Sequence, residues 1–187
     1  MKIGLCVTGS FCTLKNLLLA VDDLVAAGFD ITPIFSFNVS ELDTRFGTAE
    51  DFCKKIVEKT GKKPITTIVD AEPIGTSAGL ELMLVAPCTG NTLAKIAHGI
   101  TDTPVTMAVK ATLRNNRPVV LSISSNDALG ANGKNFGHLI NAKNIYFVPL
   151  GQDSPKNKSN SLIADTKLIL PTCLLALQNK QLEPVLI

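Results

Sequence analysis

The stretch from Leu82 to Gly99 most constrains what this chain can fold into. It begins with a continuous apolar run, residues 82–86, which has the length and composition of a strand buried on both faces of a parallel sheet. Pro87 is expected to end that strand, and an amphipathic segment that stops at Gly99 then predicts a helix. Small polar residues therefore collect at a helix N-terminus beyond a strand's carboxyl end, where open α/β sheets bind ligands and anions.

Apolar runs of this kind recur along the chain and alternate with helical patterns. The first unit, residues 3–37, has the length of a strand–helix–strand crossover, which makes its two strands parallel neighbours. No repeat or shift of composition divides the chain, so residues 1–187 are expected to form one Rossmann-like α/β domain, with an open, mostly parallel six-stranded sheet and helices on both faces. The predicted strands are residues 3–7, 30–37, 65–69, 82–86, 119–123 and 145–148, and residues 162–181 are predicted to be helical with a break at Pro171.

Composition excludes several classes of function. Eighteen basic and sixteen acidic residues leave a net charge of +2, which argues against a nucleic-acid partner. The five cysteines are odd in number and have no Cys-x-x-Cys spacing, so neither a disulfide framework nor a metal site is predicted. No apolar run is long enough for a signal peptide or a membrane helix, and a cytoplasmic protein without a membrane partner is expected.

Polar turns after three of the predicted strands are expected to meet, because the carboxyl ends of parallel strands share one edge of a sheet. The turn at Gly9 lacks the three-glycine dinucleotide fingerprint, so a single phosphate fits it better than a dinucleotide. A tight turn at Gly9 with Ser10 capping a helix explains the same residues without any ligand. The residues expected to converge are Gly9, Ser10, Thr89, Gly90, Asn91, Thr92, Ser124 and Asn126.

Arg45 is the candidate cation near that edge. It lies in a polar connection, residues 38–47, that is longer than the fold requires, and such connections often cover a site. Its guanidinium suits a carboxylate because both groups are planar and bidentate, although solvated surface charge is the alternative. The sequence contains no defensible Ser/His/Asp arrangement or Cys/His pair, so the catalytic residues are left unknown.

Several motifs resemble known families. Residues 86–92, Ala-Pro-Cys-Thr-Gly-Asn-Thr, are similar to the Pro-Ala-Ser-Ala-Asn-Thr motif of the homo-oligomeric flavin-containing cysteine decarboxylases, and residues 117–121 are similar to the flavin prenyltransferases of that superfamily. A resemblance to the B subunits of dipicolinate synthases from spore-forming bacteria extends over almost the whole chain. It is carried by residues 5–13, 71–73, 110–121 and 126–130, and by Phe37-Asn38-Val39 with the segment 44–47.

The resemblance implies a function. It implies oxidation of a dihydro- or hydroxytetrahydrodipicolinate precursor to pyridine-2,6-dicarboxylate during sporulation, in the cytoplasm of the mother cell. The partner would be a separate A subunit that resembles an NADP-dependent dehydrogenase. FMN is the implied cofactor, with Phe37 added to its binding residues, and trimers or multiples of trimers are the implied assembly. A decarboxylase-like or prenyltransferase-like flavoprotein, or a non-catalytic structural partner of the A subunit, are the alternatives.

The chain departs from the wider superfamily at two places. Glu72-Pro73 stand where the decarboxylases place a catalytic histidine, and Met107 stands where the prenyltransferases carry an arginine. The implied substrate is a dianion and needs cationic partners, for which Arg45, Lys110 and Arg114 are the predicted residues. Solvated surface charge explains Lys110 and Arg114 equally well.

Overall fold

A seven-stranded sheet forms the centre of the computed structural model, which describes residues 1–75 and 79–187. The strands are β1 (Lys2–Val7), β2 (Asp30–Phe35), β3 (Leu82–Cys88), β4 (Val119–Ser125), β5 (Ile145–Phe147), β6 (Leu150–Gly151) and β7 (Leu162–Ala164). The first five are parallel, in the spatial order β2-β1-β3-β4-β5. The last residues of β4 pair with β7, which in turn pairs with β6, and both of these pairings are antiparallel.

Helices cover both faces of the sheet, as the sequence predicts. Helix α1 packs against α8, and α6 packs against α4 and α5. The helices are α1 (Leu14–Ala26), α2 (Phe37–Glu41), α3 (Ala49–Thr60), α4 (Ile68–Ala71), α5 (Gly90–Ala97), α6 (Pro104–Arg114), α7 (Gly133–Leu139) and α8 (Ile169–Ala176). In the described part of the chain, no helix is both long enough and apolar enough to cross a membrane.

The burial pattern explains why these segments form the core. Every residue of β3 is buried, which is typical of a strand covered on both faces. Helix α1 buries Leu14, Leu17, Val21 and Leu24, whose spacing of three or four residues forms one apolar stripe. The predicted Rossmann-like, mostly parallel architecture is therefore confirmed.

The strand predicted at residues 65–69 is wrong. Ile65 makes only an isolated bridge to Ile34, and the chain then turns into α4. Thr67 caps that helix, because its side chain accepts the backbone N–H of Asp70. A local cap of this kind offers the backbone an alternative to strand pairing, and here it outweighs the β propensity of a short apolar run.

The short strands β6 and β7 correct the predicted number of strands and the predicted tail. Residues 162–164 pair with β4 and β6 instead of forming a helix, and α8 begins only at Ile169. Pro171 therefore lies in the first turn of α8, where a proline removes no helical hydrogen bond.

The expected end of β3 at Pro87 is also wrong. The strand continues through a cis Ala86–Pro87 peptide bond to Cys88, and its register against β4 shifts between Val85 and Cys88. Helix α5 then begins at Gly90, as the polar turn predicted. Of the flexible connection expected at residues 70–79, positions 76–78 lie outside the described residues.

Candidate functional site

The carboxyl ends of β1, β3 and β4 border a cleft of about 440 Å³. Sites for small molecules and cofactors typically measure roughly 300–1,000 Å³, so the cleft is large enough for such a ligand. Most of the predicted cofactor-binding residues line it. They are Gly9, Ser10, Thr89, Gly90, Asn91, Ser124 and Asn126.

Side-chain hydrogen bonds tie the three strand ends together. The buried Thr8 hydroxyl donates to the Pro87 carbonyl at 2.6 Å and accepts the Thr89 N–H at 3.0 Å, joining β1 to β3. The hydroxyls of Ser10 and Ser124 are 2.8 Å apart and join β1 to β4. The floor of the cleft is therefore a set of hydroxyls held in fixed positions.

Helix α5 begins at the edge of this floor. Thr89 is its N-cap and accepts the Thr92 N–H at 3.3 Å, and the two threonine hydroxyls are 3.1 Å apart. Thr92 is thus buried within the cap and does not line the cleft. Gly90 and Asn91, the first residues of the helix, do line it.

A carboxylate of the chain itself lies against the N-terminus of α5. Asp127 accepts from Ser125 Oγ at 2.5 Å and from Asn132 Nδ2 at 2.8 Å. A Cβ atom on Gly90 would lie only 2.6 Å from Asp127 Oδ1, so the carboxylate packs directly on that glycine. The Ser125 hydrogen bond holds the pKa of Asp127 below its usual range. Because this helix end already faces an anion, a ligand phosphate is expected elsewhere in the cleft.

Ser36 marks a second polar position at the same edge of the sheet. It follows β2, and its N–H donates to the carbonyl of Val7 at 3.0 Å, which places it beside the start of the Gly9 turn. Its hydroxyl oxygen is buried and has no hydrogen-bond partner among the residues that the structure describes. Buried polar atoms are normally paired, so this oxygen indicates a missing partner such as a ligand or a water molecule.

Ser36 was missed by the sequence analysis, although it is the first polar residue after the apolar run 33–35. The prediction instead named its neighbour Phe37, the first residue of α2. Phe37 is 37% exposed and does not line the cleft. Ser125 and Asp127 were also missed, because nothing in their spacing shows that they hydrogen bond with each other.

The three predicted cations do not share one site. Arg45 lines the cleft, and its guanidinium carbon lies 4.9 Å from the ring centroid of Phe46. Lys110 and Arg114 line a separate groove of about 350 Å³ between α5 and α6. The structure therefore brings Arg45 to the converging residues and leaves the other two apart from them.

The remaining charges of the cleft come from the connection between β6 and β7. Lys158 lies 2.8 Å from Asp153, and this contact holds the pKa of Asp153 below its usual range. Both residues line the cleft. With Arg45 and Asp127 included, the cleft carries two cations and two carboxylates, so its net charge is close to zero.

The buried Cys88 and a metal ion find little support as catalysts at this site. Burial raises the pKa of Cys88, at the end of β3, to about 12, so this thiol stays protonated and is a poor nucleophile. Residues 1–75 and 79–187 contain no group of three or more histidine, cysteine, aspartate or glutamate side chains that could hold a metal ion. Hydroxyls, amides, a few charged groups and the exposed thiol of Cys12 line the cleft.

A comparison with family models decides the relationship. The flavoprotein family model matches residues 1–153. The chain belongs to the flavoprotein family.

Two relatives of this flavoprotein match over its whole length. The B subunit of dipicolinate synthase from Bacillus subtilis (strain 168) is 47% identical over 186 residues, covering 100% of this chain and 93% of that protein. The crystal structure of the corresponding B subunit from Bacillus halodurans superposes with a TM-score of 0.92 at 44% identity, covering 100% of this chain and 95% of that one. The resemblance to the B subunits of dipicolinate synthases is confirmed.

A more distant structure shares only the fold. A dodecameric FMN-dependent UbiX-like decarboxylase from Escherichia coli gives a TM-score of 0.61 at 24% identity, with 80% of each chain covered. This match shows the same fold and carries no information about function or substrate.

The cleft of this flavoprotein fits FMN. The Gly9–Ser10 turn lines the cleft and can receive a phosphate, and the unpaired Ser36 oxygen lies buried behind that turn, at the end of β2. Polar groups of Asn91, Ser124 and Asn126 line the rest of the cleft, where a hydroxylated chain and a planar ring need hydrogen-bond partners. The residues present therefore suit the cofactor that gives the family its name.

Proposed function

We propose that this flavoprotein is the B subunit of a dipicolinate synthase. It works with a dehydrogenase-like A subunit to oxidise a dihydro- or hydroxytetrahydrodipicolinate precursor to pyridine-2,6-dicarboxylate during sporulation. The observation that carries the proposal is the 47% identity over the full chain to the Bacillus subtilis dipicolinate synthase protein. The cleft supports it, because a site of this size and polarity suits a cofactor and a small polar substrate.

In this proposal FMN lies in the cleft, with its phosphate near Gly9, Ser10 and Ser36 and away from the Asp127 carboxylate. Asn91, Ser124 and Asn126 hydrogen bond with the rest of the cofactor, and Thr92 supports them from within the cap of α5. When bound, FMN supplies an acceptor for the two electrons that the ring loses on aromatisation. NADP is the redox cofactor proposed for the A subunit.

Arg45 is proposed to hold one substrate carboxylate. Its guanidinium lines the cleft and enters no ion pair in the described part of the chain. A bidentate contact there would orient the ring as well as neutralise one charge, and orientation is a large part of what an active site contributes.

Ser125 and Asp127 are proposed to take the proton that leaves the ring. The hydroxyl proton of Ser125 is donated to Asp127, so the lone pairs of Ser125 Oγ are free to accept a proton at the cleft. As the ring gives its proton to Ser125 Oγ, the hydroxyl proton passes to the carboxylate. Asp127 is ionised before the step, although its lowered pKa makes it a weaker base than an ordinary aspartate.

Assembly is part of the proposal. The B. subtilis protein is named as one subunit of an enzyme, and the E. coli structure is described as dodecameric. We expect a homo-oligomer built on trimers, which binds the A subunit in the cytoplasm of the sporulating mother cell.

Purified chain with and without the A subunit tests the proposal. Absorbance at the flavin bands reports FMN binding, and the formation of pyridine-2,6-dicarboxylate reports turnover. FMN binding, together with turnover that needs both chains, would support it. A chain that binds no FMN and only prolongs the life of an active A subunit would instead be a structural partner. Loss of carbon dioxide or prenylation of the flavin, without oxidation, would indicate decarboxylase-like or prenyltransferase-like chemistry.

A further inference from the structure

A second cavity of about 350 Å³ opens beside the cleft, between the start of α1 and the start of α3. Phe11, Cys12 and Phe46 line both spaces, so the cavity and the cleft share a wall. We call this cavity the side pocket. Its walls are mostly aromatic or aliphatic, and include Phe11, Leu14, Leu18, Val39, Phe46 and Phe52.

The rim of the side pocket is unusually apolar for an exposed segment. Leu42 is 48% exposed and Phe46 is 55% exposed, and both line the pocket. Clusters of large apolar side chains at the surface commonly mark binding sites, because water solvates them poorly. The rim is therefore suited to the face of an apolar or aromatic ligand.

Two lysines add charge to these walls. Lys15 lies three residues before Leu18 on α1, and Lys55 lies three residues after Phe52 on α3, so each shares a helix face with an apolar wall residue. Neither forms an ion pair in the described part of the chain. Asp51 is the carboxylate among the lining residues, which leaves the pocket with a net charge of +1.

The cleft and the groove between α5 and α6 suit a dianionic ring less well than the side pocket does. In the cleft, Arg45 and Lys158 are balanced by Asp127 and Asp153, and Lys158 is already paired. The groove of Lys110 and Arg114 has no carboxylate among its lining residues, but it shares none of them with the cleft. A substrate bound in that groove could not meet a cofactor held in the cleft of the same chain.

We propose that the side pocket binds the ring of the dicarboxylate substrate. The ring packs on Phe11 and Phe46 at the shared wall, where its edge faces the cleft that holds Ser125. One carboxylate reaches Arg45 on the cleft side of that wall, and the other contacts Lys15 and Lys55 in the side pocket. This inference rests on the proposed function and adds a second carboxylate site to it. A planar ring with two carboxylates matches both the aromatic walls and the unpaired cations.

Equilibrium dialysis of pyridine-2,6-dicarboxylate against the full-length protein, with FMN added, tests this site. Lys15→Gln and Lys55→Gln should each raise the dissociation constant roughly ten-fold, the size expected for one lost charge-assisted contact. Asp51→Asn should lower it, because it removes the opposing charge. Lys54→Gln is the matched control: Lys54 is on the same helix, pairs with Glu50, and does not line the side pocket.

A second ligand separates binding from general damage to the fold. The monoanion pyridine-2-carboxylate lacks one carboxylate, so the preference for the dianion should shrink in both lysine variants. Unchanged dianion binding in both variants would overturn the inference, as would loss of binding only in Lys110→Gln or Arg114→Gln. A wild-type protein with no saturable dianion binding would overturn it too. Flavin absorbance of the same samples tests the proposed function separately. If FMN binds normally and the lysine variants leave dianion binding unchanged, only the side pocket is refuted.

Discussion

At the scale of single residues, Ser36 and Gly90 differ in what surrounds them at this edge of the sheet. Ser36 presents a buried oxygen without a partner in the described residues, which leaves it available to a ligand. Gly90 has no side chain, and the Ser125–Asp127 pair occupies the space where one would lie. The Ser36 hydroxyl behind the Gly9 turn therefore lacks a partner among the residues that the structure describes, while the N-terminus of α5 is filled by an anion of the chain itself.

Ser36→Ala should weaken FMN binding without destabilising the protein. The hydroxyl makes no hydrogen bond within the described residues, so its removal leaves no new unsatisfied group, whereas a lost bond to phosphate costs about 1.5–3 kcal/mol. Fluorescence titration should show that the dissociation constant for FMN rises at least ten-fold, while the melting temperature of the protein stays unchanged. Ser40→Ala, which removes a hydroxyl bonded to the Phe37 carbonyl, is the control and should leave FMN affinity unchanged. Equal affinity in Ser36→Ala and wild type would refute the phosphate position.

Gly90→Ala should disrupt the cleft. The new Cβ would lie 2.5 Å from Ser125 Oγ and 2.7 Å from Asn132 Nδ2, so these groups must move. Overpacking of this kind typically costs about 1–3 kcal/mol, which denaturant unfolding can measure. Gly137→Ala, in α7, is the control: no atom of the described residues lies within 4 Å of its added Cβ, and stability should hold or rise. A Gly90→Ala protein as stable as wild type would show that the Ser125, Asp127 and Asn132 side chains can move at little cost in stability.

At the scale of elements, the loop between β4 and α7 is held to α5 by its polar side chains. Asn135 Nδ2 donates to Asn132 Oδ1 at 2.8 Å, and Asn132 in turn donates to Asp127. These polar side chains thus fix a single carboxylate against the first residue of α5. The orientation of Ser125 at the cleft depends on this whole chain of hydrogen bonds.

Asp127 should link the stability of this loop to pH. Its pKa is lowered in the folded protein, so its contribution is present above the ordinary aspartate pKa, near 4, and is lost as pH falls through the folded value. The stability difference between wild type and Asp127→Asn should therefore be largest near neutral pH and should shrink below about pH 4. Chemical unfolding of both proteins at several pH values measures it. A difference that stays constant down to about pH 3 would mean that Asp127 contributes only through packing.

At the scale of the whole molecule, the α5–α6 groove combines an apolar lining with cationic side chains. Ile100 at its edge is 47% exposed, and Ile96, Val109 and Leu113 line it. Lys110 and Arg114 lie in the same groove, away from the cleft. An apolar floor with cations is a suitable contact surface for assembly, which the family resemblance also implies.

The protein is expected to form oligomers through this groove. Ile100→Asp should favour smaller species, because burying a large apolar side chain contributes about 1.5–3 kcal/mol and a charge would oppose contact. Light scattering at micromolar concentration should show the change. Leu19→Asp, at an exposed position of α1, is the control. A monomeric wild-type protein would contradict the expectation. A lower molecular mass seen only for Leu19→Asp would place the interface at α1 instead.

The sequence by itself determined the parallel core and the position of the cleft. Continuous apolar runs identified β1 to β5, and the polar residues after three of them were bound to meet, because parallel strands end at one edge. A helix was predicted to follow the polar turn of residues 89–92, and α5 does so, beginning within that turn at Gly90. The strands and the start of the helix are encoded by local sequence patterns, and the meeting of the polar residues follows from the parallel topology alone.

Only the tertiary structure decided which side chains act together. Asp127 fills the N-terminus of α5 because a loop much further along the chain folds back onto Gly90, and no local pattern encodes that contact. Lys110 and Arg114 face a different groove from Arg45 because the packing of α6 on the sheet sets their direction. Strands as short as β6 and β7 leave no periodic signal; β7 forms on the free edge at the end of β4, and β6 then pairs with β7. Side-chain contacts between distant segments depend on the packed core, so they appear only once it is assembled.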